Sequence, residues 1–278
     1  MTNEKLTRIL ETVRKTGPLV HCITNYVTVN DVANIVLACG ASPIMADDKA
    51  EAACITALCS ATYINIGTLN ARTVDSMLLA GKTAEELHHP VVLDPVGAGA
   101  SPFRTETVGR LMNSIQFTVI RGNMSEIKTI AQGGGTTKGV DADAADTVTE
   151  ENLDDAVGFV RKLAGRTGSV VAVTGAIDII SDADRTYVCR NGHPMLRSIT
   201  GSGCMLGAVV AAFCGANPGR TLEAAAAAVS AMGLCGERAY RKTAAAGAGT
   251  GSFRAYLIDE MSLLTPQFFA EGCRIEER

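Results

Sequence analysis

The chain has no tryptophan and only 5 tyrosines and 7 phenylalanines among its 278 residues. So few aromatic rings leave little material for stacking nucleic-acid bases. The 25 Lys and Arg residues are outnumbered by 29 Asp and Glu residues, and the formal net charge of -4 is the opposite of the basic surplus of nucleic-acid binders. We therefore expect no nucleic-acid partner. Charged residues make up 19% and hydrophobic residues 47% of the chain, which excludes intrinsic disorder.

The sequence also lacks long hydrophobic runs. Its densest apolar stretch, Met205 to Cys214, is about half of the ~20 residues that a membrane span needs. The N-terminus carries no apolar signal segment. The 9 cysteines are odd in number and include no C-x-x-C pair, so we expect buried free thiols in a reducing compartment, with neither disulfides nor a zinc site. These absences predict a cytoplasmic protein with no membrane contact.

What the sequence has is a repeated alternation of short apolar segments with helical ones. Apolar runs bounded by turn residues predict strands at 18–24, 41–45, 63–66, 91–94, 118–120 and 170–173, and an antiparallel pair at 178–181 and 185–188. Apolar residues at helical spacing, or runs of small residues, predict helices at 4–15, 31–37, 50–59, 71–86, 105–113, 124–131, 154–167, 205–214, 222–244 and 253–264.

This order of elements predicts the fold class. Strands followed repeatedly by helices form a mostly parallel sheet with helices on both faces, which is a three-layer α/β sandwich. We find no linker and no internal repeat, so we expect one domain over residues 1–278. Residues 132–149 mix Gly, Thr and Asp without apolar periodicity and are predicted to form a surface loop.

Candidate ligand residues follow from the position of the strand ends. In open parallel sheets, ligands bind beyond the carboxyl ends of the strands, and this rule selects Met45, Gly67, Asp94, Arg121 and Thr174. Asp94 precedes a glycine-rich loop and can hold Mg²⁺ directly or through water, although a carboxylate that caps a turn is an equal alternative. Met45 offers an apolar wall and Gly67 an exposed backbone amide for a small ligand.

The strongest local motif is Thr200-Gly-Ser-Gly-Cys-Met-Leu-Gly207. Two glycines stand directly before an apolar helix, where successive backbone amides and the helix dipole favour an anion. Such a loop is suited to stabilising a phosphoryl group in transfer. Cys204 lies in the first helical turn, where the pKa of a thiol is expected to fall. The alternative interpretation is a tight turn that carries a buried cysteine.

Two further motifs contain polar residues near strand ends. In Arg121-Gly-Asn-Met-Ser-Glu126, the guanidinium of Arg121 can meet a nucleotide phosphate, and Asn123 and Glu126 share a helical face. A capping box formed by Asn123 and Glu126 is the alternative role of this pair. Asn25 follows the first core strand and carries both a donor and an acceptor for a small polar ring.

Five blocks of the sequence together are informative: Gly17-Pro-Leu-Val-His-Cys-Ile-Thr-Asn-Tyr-Val27, Ala41-Ser-Pro-Ile-Met45, Leu93-Asp-Pro-Val-Gly-Ala-Gly99, Arg121-Gly-Asn123 and Gly201-Ser-Gly-Cys-Met-Leu206. With these blocks, the chain resembles the hydroxyethylthiazole kinase family of the ribokinase-like fold across nearly its whole length. The resemblance implies that ATP and Mg²⁺ are used to phosphorylate 4-methyl-5-(2-hydroxyethyl)thiazole, a step toward thiamine. It also implies that Arg121 and Thr174 contact ATP and that Asp94 and Glu126 lie on the Mg²⁺ side.

The resemblance further implies the residues of the substrate side. Met45 and Gly201 would contact the thiazole, beside Asn25 and Gly67, and residues 201–204 (Gly201, Ser202, Gly203 and Cys204) would form the anion hole. The family is trimeric, with sites between neighbouring subunits. Cys204 stands where other ribokinase-like enzymes commonly hold an aspartate as the base for the acceptor hydroxyl.

Three alternatives remain open. Another ribokinase-like kinase, acting on a hydroxymethylpyrimidine or on pyridoxal, would normally show Asp in place of Cys204 and lack the block around Asn25. A cysteine hydrolase could pair Cys204 with His21 or His193, but this function leaves the Asp94 loop without a role. A non-catalytic binding protein would need no ATP site.

Overall fold

The computed structural model describes residues 2–132 and 147–278, so most of the predicted loop at 132–149 lies outside the described residues. The helices are α1 (Thr2–Thr16), α2 (Val29–Cys39), α3 (Ala52–Leu58), α4 (Ala71–Glu86), α5 (Pro102–Met112), α6 (Met124–Gln132), α7 (Leu153–Thr167), α8 (Ser202–Ala216), α9 (Thr221–Ala245), α10 (Thr250–Leu263) and α11 (Pro266–Gly272). The strands are β1 (Leu19–Ile23), β2 (Ser42–Ile44), β3 (Ala61–Asn65), β4 (Val91–Asp94), β5 (Val119–Gly122), β6 (Val170–Val173), β7 (Asp178–Ser181), β8 (Thr186–Cys189) and β9 (Ile275–Glu277).

The strands of the described residues form one sheet in the order β2-β1-β3-β4-β5-β6-β7-β8-β9. Strands β1 to β6 pair in parallel, whereas β7, β8 and β9 are antiparallel to their neighbours. One apolar core lies between the sheet and the layer of α1, α2, α8, α9 and α10, and a second lies on the opposite face with α4 to α7. This arrangement confirms the predicted three-layer α/β sandwich, including the antiparallel pair.

The alternation of side chains along the strands brings the candidate residues to one face of the sheet. Val92 of β4 and Val119 of β5 belong to the core on the α8 side, whereas Leu93 and Ile120 belong to the other core. Because side chains alternate with a period of two, Asp94 and Arg121 lie on the α8 side. By the same period Asn65 shares this face with Tyr63, and Thr174 shares it with Ala172.

Helix α8 is apolar on almost every side, which is typical of a helix buried in the core. It packs directly on β3, because a side chain at Gly207 would meet the hydroxyl of Tyr63 at 2.7 Å, and one at Gly215 would meet the carbonyl oxygen of Ser60 at 3.0 Å. Its first residue is Ser202, three positions before the predicted start at Met205. The glycine motif is therefore partly the first turn of the helix, and this turn lies over the carboxyl ends of the parallel strands.

The end of the chain contains two elements that the sequence pattern did not predict. Helix α11 follows Thr265, whose side chain accepts a hydrogen bond from the amide of Phe268 as an N-cap. Strand β9 then pairs with β8, with Ile275 opposite Cys189. Within residues 2–132 and 147–278, no helix combines the length and apolar character needed to cross a bilayer.

Candidate active site

The carboxylate of Asp94 is fully buried at the end of β4, and its two oxygens differ in their partners. Oδ2 accepts hydrogen bonds from the hydroxyl of Tyr63 at 2.8 Å, from Nδ2 of Asn65 at 3.1 Å and from Nη1 of Arg121 at 3.4 Å. Oδ1 is buried and has no partner. Burial raises the pKa of Asp94, and Arg121 and the neutral donors oppose that rise. Oδ1 is therefore the oxygen that remains open to a ligand.

Arg121 connects Asp94 with the end of the next strand. Its Nη2 donates a 2.6 Å hydrogen bond to the hydroxyl of Thr174, while Nε is buried and has no partner. A Cβ at Gly203 would come within 2.7 Å of Nη1, so the guanidinium lies directly against the start of α8. The structure thus brings together Arg121 and Thr174, the two residues predicted to contact ATP, beside the predicted anion loop.

Glu126 forms the capping box that the sequence offered as an alternative. Its Oε2 accepts from the amide of Asn123, and Oδ1 of Asn123 accepts from the amide of Glu126, both at 2.9 Å. Its Oε1 accepts a 2.9 Å hydrogen bond from the amide of Gly97, in the loop after Asp94. Burial, together with the nearby charge of Asp94, raises the pKa of Glu126 to about 7. Asp94 and Glu126, the two residues predicted to lie on the Mg²⁺ side, are therefore connected through the loop that contains Gly97.

The residues of the predicted anion loop include a glycine that no other residue can replace without strain. Gly201 caps the N-terminus of α8 with φ of +82°, a left-handed conformation that favours glycine. A Cβ at this position would lie 2.4 Å from Cγ2 of Thr28. Because the first amides of a helix have no acceptor within the helix, residues 202–204 can present their N–H groups to an anion.

Cys204 lies in the first turn of α8, but its pKa moves in the direction opposite to our prediction. Burial raises the pKa of the thiol, and the negative charge of Asp94 raises it further, while hydrogen-bond donors such as Asn25 act against the rise. Nδ2 of Asn25 lies 3.2 Å from Sγ. The expectation of a lowered pKa was wrong because burial and a neighbouring carboxylate outweigh the helix terminus.

The backbone amide of Gly67 was predicted to be free for a ligand, but in the structure it already has a hydrogen-bond partner. It donates a 2.8 Å hydrogen bond to Oδ1 of Asn65, so it is not the exposed backbone donor that we expected. A Cβ at Gly67 would lie 2.9 Å from both Nδ2 of Asn25 and Oδ1 of Asn65. Glycine is thus needed here because two asparagine side chains pack against the backbone.

A cavity of about 200 Å³ opens beside these asparagines, and Met45 contributes to its wall. Residues from β1, β3 and the start of α4 also line it, among them Thr24 and Asn65. The hydroxyl of Thr24 is buried without a hydrogen-bond partner. Of the predicted substrate residues, Met45 lines this cavity, and Asn25 and Gly67 pack against Asn65 in its wall. Gly201 lies against Thr28, which donates to Asn25.

Sequence reasoning missed Tyr63 and Asn65, which both contact Asp94. Both lie on β3 and are essentially inaccessible to solvent. Polar side chains within a predicted strand do not by themselves mark a functional site. The alternation of side chains with a period of two could have identified these two, because it places them on the same sheet face as Asp94.

The histidines do not form a dyad with Cys204. Nε2 of His21 lies 2.7 Å from the carbonyl oxygen of Ala46, and Nδ1 lies 2.8 Å from the hydroxyl of Thr56 in α3, so both ring nitrogens already have hydrogen-bond partners. Burial lowers the pKa of His21. The ring of His193 stacks on that of Tyr240 at 3.6 Å. These contacts argue against a cysteine hydrolase.

Comparison with known proteins gives a consistent set of relatives. The sequence model of the hydroxyethylthiazole kinase family matches residues 10–267. A hydroxyethylthiazole kinase of Clostridium acetobutylicum is 54% identical over 96% of this chain and 97% of its own length. The hydroxyethylthiazole kinase of Methanobrevibacter smithii is 42% identical over 98% of this chain and 96% of its own length.

Solved structures agree with these sequence matches. A hydroxyethylthiazole kinase from Pyrococcus horikoshii superposes with a TM-score of 0.88 and 34% identity, covering 99% of both chains. Pyridoxal kinase of Bacillus subtilis, solved as an ADP complex, superposes with a TM-score of 0.57 and 19% identity over 78% of this chain and 90% of its own. The second likeness shows the shared fold alone.

Proposed function

The chain belongs to the hydroxyethylthiazole kinase family, and we propose that it transfers the γ-phosphoryl group of ATP to the primary hydroxyl of 4-methyl-5-(2-hydroxyethyl)thiazole. The product is the thiazole monophosphate, a precursor of thiamine. One observation carries the proposal: in the first turn of α8, Gly203 lies against the guanidinium of Arg121, and the next residue, Cys204, contacts Asn25. A phosphoryl group in transit between two substrates needs an anion site in that position.

The nucleotide side is supported by the unfilled hydrogen-bonding capacity of Arg121. Its buried Nε has no partner, and the guanidinium lies against Gly203 at the start of α8. A phosphate oxygen placed there would receive charge-assisted hydrogen bonds from Arg121 and amide hydrogen bonds from the loop. Thr174, which accepts from Nη2 of Arg121, holds the guanidinium in this orientation.

The residues around Asp94 fit Mg²⁺ as the metal of the reaction. Oδ1 of Asp94 is a buried carboxylate oxygen without a partner, and Mg²⁺ prefers carboxylate and water oxygens. Both oxygens of Glu126 accept amide hydrogen bonds, so we assign Glu126 to contacts made through water. When bound, Mg²⁺ would neutralise charge on the phosphate oxygens. In the described residues no cluster of three or more His, Cys, Asp or Glu side chains provides an all-protein metal cage.

On the acceptor side, the cavity beside Met45 is the proposed thiazole site, with the hydroxyethyl group extending toward Cys204 and the loop amides. The raised pKa of Cys204 keeps the thiol protonated near neutral pH. Sγ can accept the hydroxyl proton only in the fraction of molecules where it is already a thiolate, and a loose transition state requires little assistance from a base. The main contribution of residues 201–204 is therefore positioning and charge stabilisation.

The cavity is open at one edge, and this supports the proposal that the active protein is a homotrimer. Tyr26 belongs to the lining and is 77% exposed, and the adjacent Val27 is 55% exposed. A neighbouring subunit that covers these side chains would close the site between two chains. We also propose a cytoplasmic location, where ATP and free thiols are maintained.

The proposed function is tested by incubating the purified protein with ATP, Mg²⁺ and each of three alcohols: the hydroxyethylthiazole, a hydroxymethylpyrimidine and pyridoxal. We expect ADP and thiazole monophosphate in equal amounts, with little product from the other two. Phosphorylation of only the pyrimidine or pyridoxal would move the chain to another substrate of the same fold. ATP hydrolysis without a phosphorylated alcohol would contradict the proposal.

A further inference from the structure

Asn65 connects the two halves of the site through a single buried amide. Its Nδ2 donates to the hydroxyl of Tyr63 at 2.8 Å and to Oδ2 of Asp94 at 3.1 Å. Its Oδ1 accepts from Nδ2 of Asn25 at 3.0 Å and from the amide of Gly67 at 2.8 Å. One side chain thus contacts both the carboxylate on the metal side and the asparagine on the acceptor side.

Backbone groups determine which way this amide faces. The N–H of Gly67 can only donate, so the Asn65 atom beside it must be the acceptor Oδ1. Nδ2 then faces Tyr63 and Asp94, and the Tyr63 hydroxyl, which accepts from Nδ2, uses its own proton for Asp94. A reversed amide would place an NH₂ group against the Gly67 N–H and a carbonyl oxygen against a carboxylate.

The same argument applies to Asn25. The backbone N–H of Thr28 donates to Oδ1 of Asn25 at 3.1 Å, and the Thr28 hydroxyl donates to the same oxygen at 3.0 Å. The two hydrogens of Asn25 Nδ2 are therefore available to Oδ1 of Asn65 and to Sγ of Cys204. Every donor in this chain of hydrogen bonds meets an acceptor, which makes the arrangement rigid.

We propose that Asn65 is a positioning residue of the phosphoryl-transfer site, which holds the Asp94 carboxylate and the Asn25 amide in one fixed relation. With Tyr63 and Arg121 it occupies Oδ2 of Asp94, so that Oδ1 is the oxygen presented to the metal–nucleotide side. With Gly67 and Thr28 it directs Nδ2 of Asn25 toward Cys204, where the acceptor hydroxyl is expected. The proposal rests on the proposed function, because it assigns these sides to the nucleotide and the thiazole.

Variants can separate the two sides. Asn65→Ala removes the hydrogen bonds on both sides, Tyr63→Phe removes the hydroxyl that contacts Asp94 and Asn65 on the metal side, and Thr28→Val removes the hydroxyl that contacts Asn25 on the acceptor side. Thr62→Val is the matched control, since Thr62 is a buried threonine of the same strand whose hydroxyl has no partner. Two binding measurements that do not depend on turnover are made on each variant. Thiazole affinity is measured by calorimetric titration, and Mn²⁺ affinity in the presence of ADP is measured by electron paramagnetic resonance.

We expect Asn65→Ala to weaken both affinities about tenfold. Each side of the site loses buried hydrogen bonds, and the one on the metal side is made to the carboxylate of Asp94. Tyr63→Phe should weaken Mn²⁺–ADP binding several-fold more than thiazole binding, and Thr28→Val should do the reverse. Thr62→Val should change neither affinity by more than about twofold. If Asn65 had a structural role alone, its loss would not weaken both affinities while Tyr63→Phe and Thr28→Val each weaken mainly the affinity of their own side.

Several results would overturn the proposal. One is a folded Asn65→Ala variant that loses only one affinity, and another is an equal loss of both affinities in Tyr63→Phe. Failure of Asn65→Ala and of the larger Asn65→Leu to fold would make Asn65 a structural residue of the core. If the wild-type protein itself binds Mn²⁺–ADP but not the thiazole, the proposed function fails, and this outcome is distinct from a one-sided effect at Asn65.

Discussion

Charged side chains are buried at the end of the parallel part of the sheet, whereas those beside its antiparallel part are partly exposed. Near their carboxyl ends, strands β4 and β5 carry Asp94 and Arg121, which are buried, pair with each other at 3.4 Å and still retain unpartnered polar atoms. Around β8 and β9, Arg190 pairs with Glu150 at 2.8 Å and Arg274 pairs with Glu237 at 2.9 Å. These arginines are partly exposed and use their hydrogen-bonding groups on neighbouring carboxylates.

The difference teaches where ligands are expected to bind. Leaving a buried polar atom without a partner costs ~1–3 kcal/mol, so the unfilled atoms of Asp94 and Arg121 point to a ligand that fills them. Partly exposed ion pairs contribute little individually, about 0–1 kcal/mol, and the pairs of Arg190 and Arg274 are contacts of this kind beside β8 and β9. Arginine and carboxylate side chains therefore indicate a ligand site at one end of the sheet and surface ion pairs at the other.

The largest effect on turnover is expected at Cys204, in the first turn of α8 beside the ends of the parallel strands. Cys204→Ala should lower turnover about 10²–10⁴-fold if Sγ accepts the hydroxyl proton, with thiazole binding nearly unchanged. Cys204→Asp should keep or raise turnover, because burial and the charge of Asp94 would raise the pKa of an aspartate there toward neutrality and make it an effective base. Steady-state kinetics of both variants check this prediction. Wild-type rates in both would reduce Cys204 to a packing residue, and equal inactivity would favour a nucleophile.

The next effect concerns two glycines with similar backbone angles. Gly201 has φ of +82° and a Cβ there would meet Thr28, whereas Gly219 has φ of +76° and a Cβ there would have no atom within 4 Å. Gly219→Ala should lose about 1–2 kcal/mol of stability through left-handed strain, and Gly201→Ala should lose more, because its Cβ would also clash with Thr28. Only Gly201→Ala should also lose roughly 10² in turnover, because it displaces the anion loop. Thermal unfolding and kinetics of the two variants give the test, and equal turnover in both would contradict the assigned role of the loop.

Arg121 and Arg190 compare a buried and a surface arginine directly. Arg121→Ala should weaken ATP binding about 10- to 100-fold, because a charged hydrogen bond worth ~1.5–3 kcal/mol is lost, and it should affect the thiazole less. Arg190→Ala should leave ATP affinity unchanged and cost less than about 1 kcal/mol of stability. Titration of both ligands into both variants checks this. Unchanged ATP affinity in Arg121→Ala would make Arg121 structural.

The smallest effect is expected at Asp178, where the parallel and antiparallel parts meet. Its Oδ1 accepts a 2.8 Å hydrogen bond from the amide of Gly175, and burial raises its pKa from 3.8 to about 7. Between these values the folded state retains a proton that the unfolded state has lost, so stability should fall as pH rises through this window.

Asp178→Asn keeps the acceptor oxygen and removes the titration. The free energy of unfolding of this variant should decline less between pH 4 and pH 7 than that of the wild type, by at least about 1 kcal/mol. Urea unfolding at several pH values measures both curves. Parallel curves would show that Asp178 does not contribute to the pH dependence.

Much of the fold was predictable because hydrophobic periodicity is local. The predicted strands at 91–94 and 170–173 coincide with β4 and β6, and the antiparallel pair at 178–181 and 185–188 was found within one residue. Strand β9 was not predicted, because Ile275–Glu277 has a single apolar residue. It forms a strand only where the exposed edge of β8 offers backbone partners.

The candidate site was predictable to a similar degree. The rule that ligands bind at carboxyl ends of parallel strands selected Asp94, Arg121 and Thr174, and the structure brings the three into hydrogen-bond contact. The rule missed Tyr63 and Asn65, because it considers the residues that follow a strand and not the polar residues within it. Their contacts with Asp94 depend on the pairing of β3 with β4.

The sequence by itself determined the alternation of strands and helices, the glycines before α8 and the order of polar residues along the sheet edge, since each depends on neighbours within a few positions. Tertiary structure alone decided the state of those groups. The raised pKa of Cys204, the engaged amide of Gly67 and the open oxygen of Asp94 each arise where β1, β3, β4 and α8 converge. Burial and electrostatic interactions act through space, so they depend on residues that are distant along the chain but only a few ångströms apart in the fold.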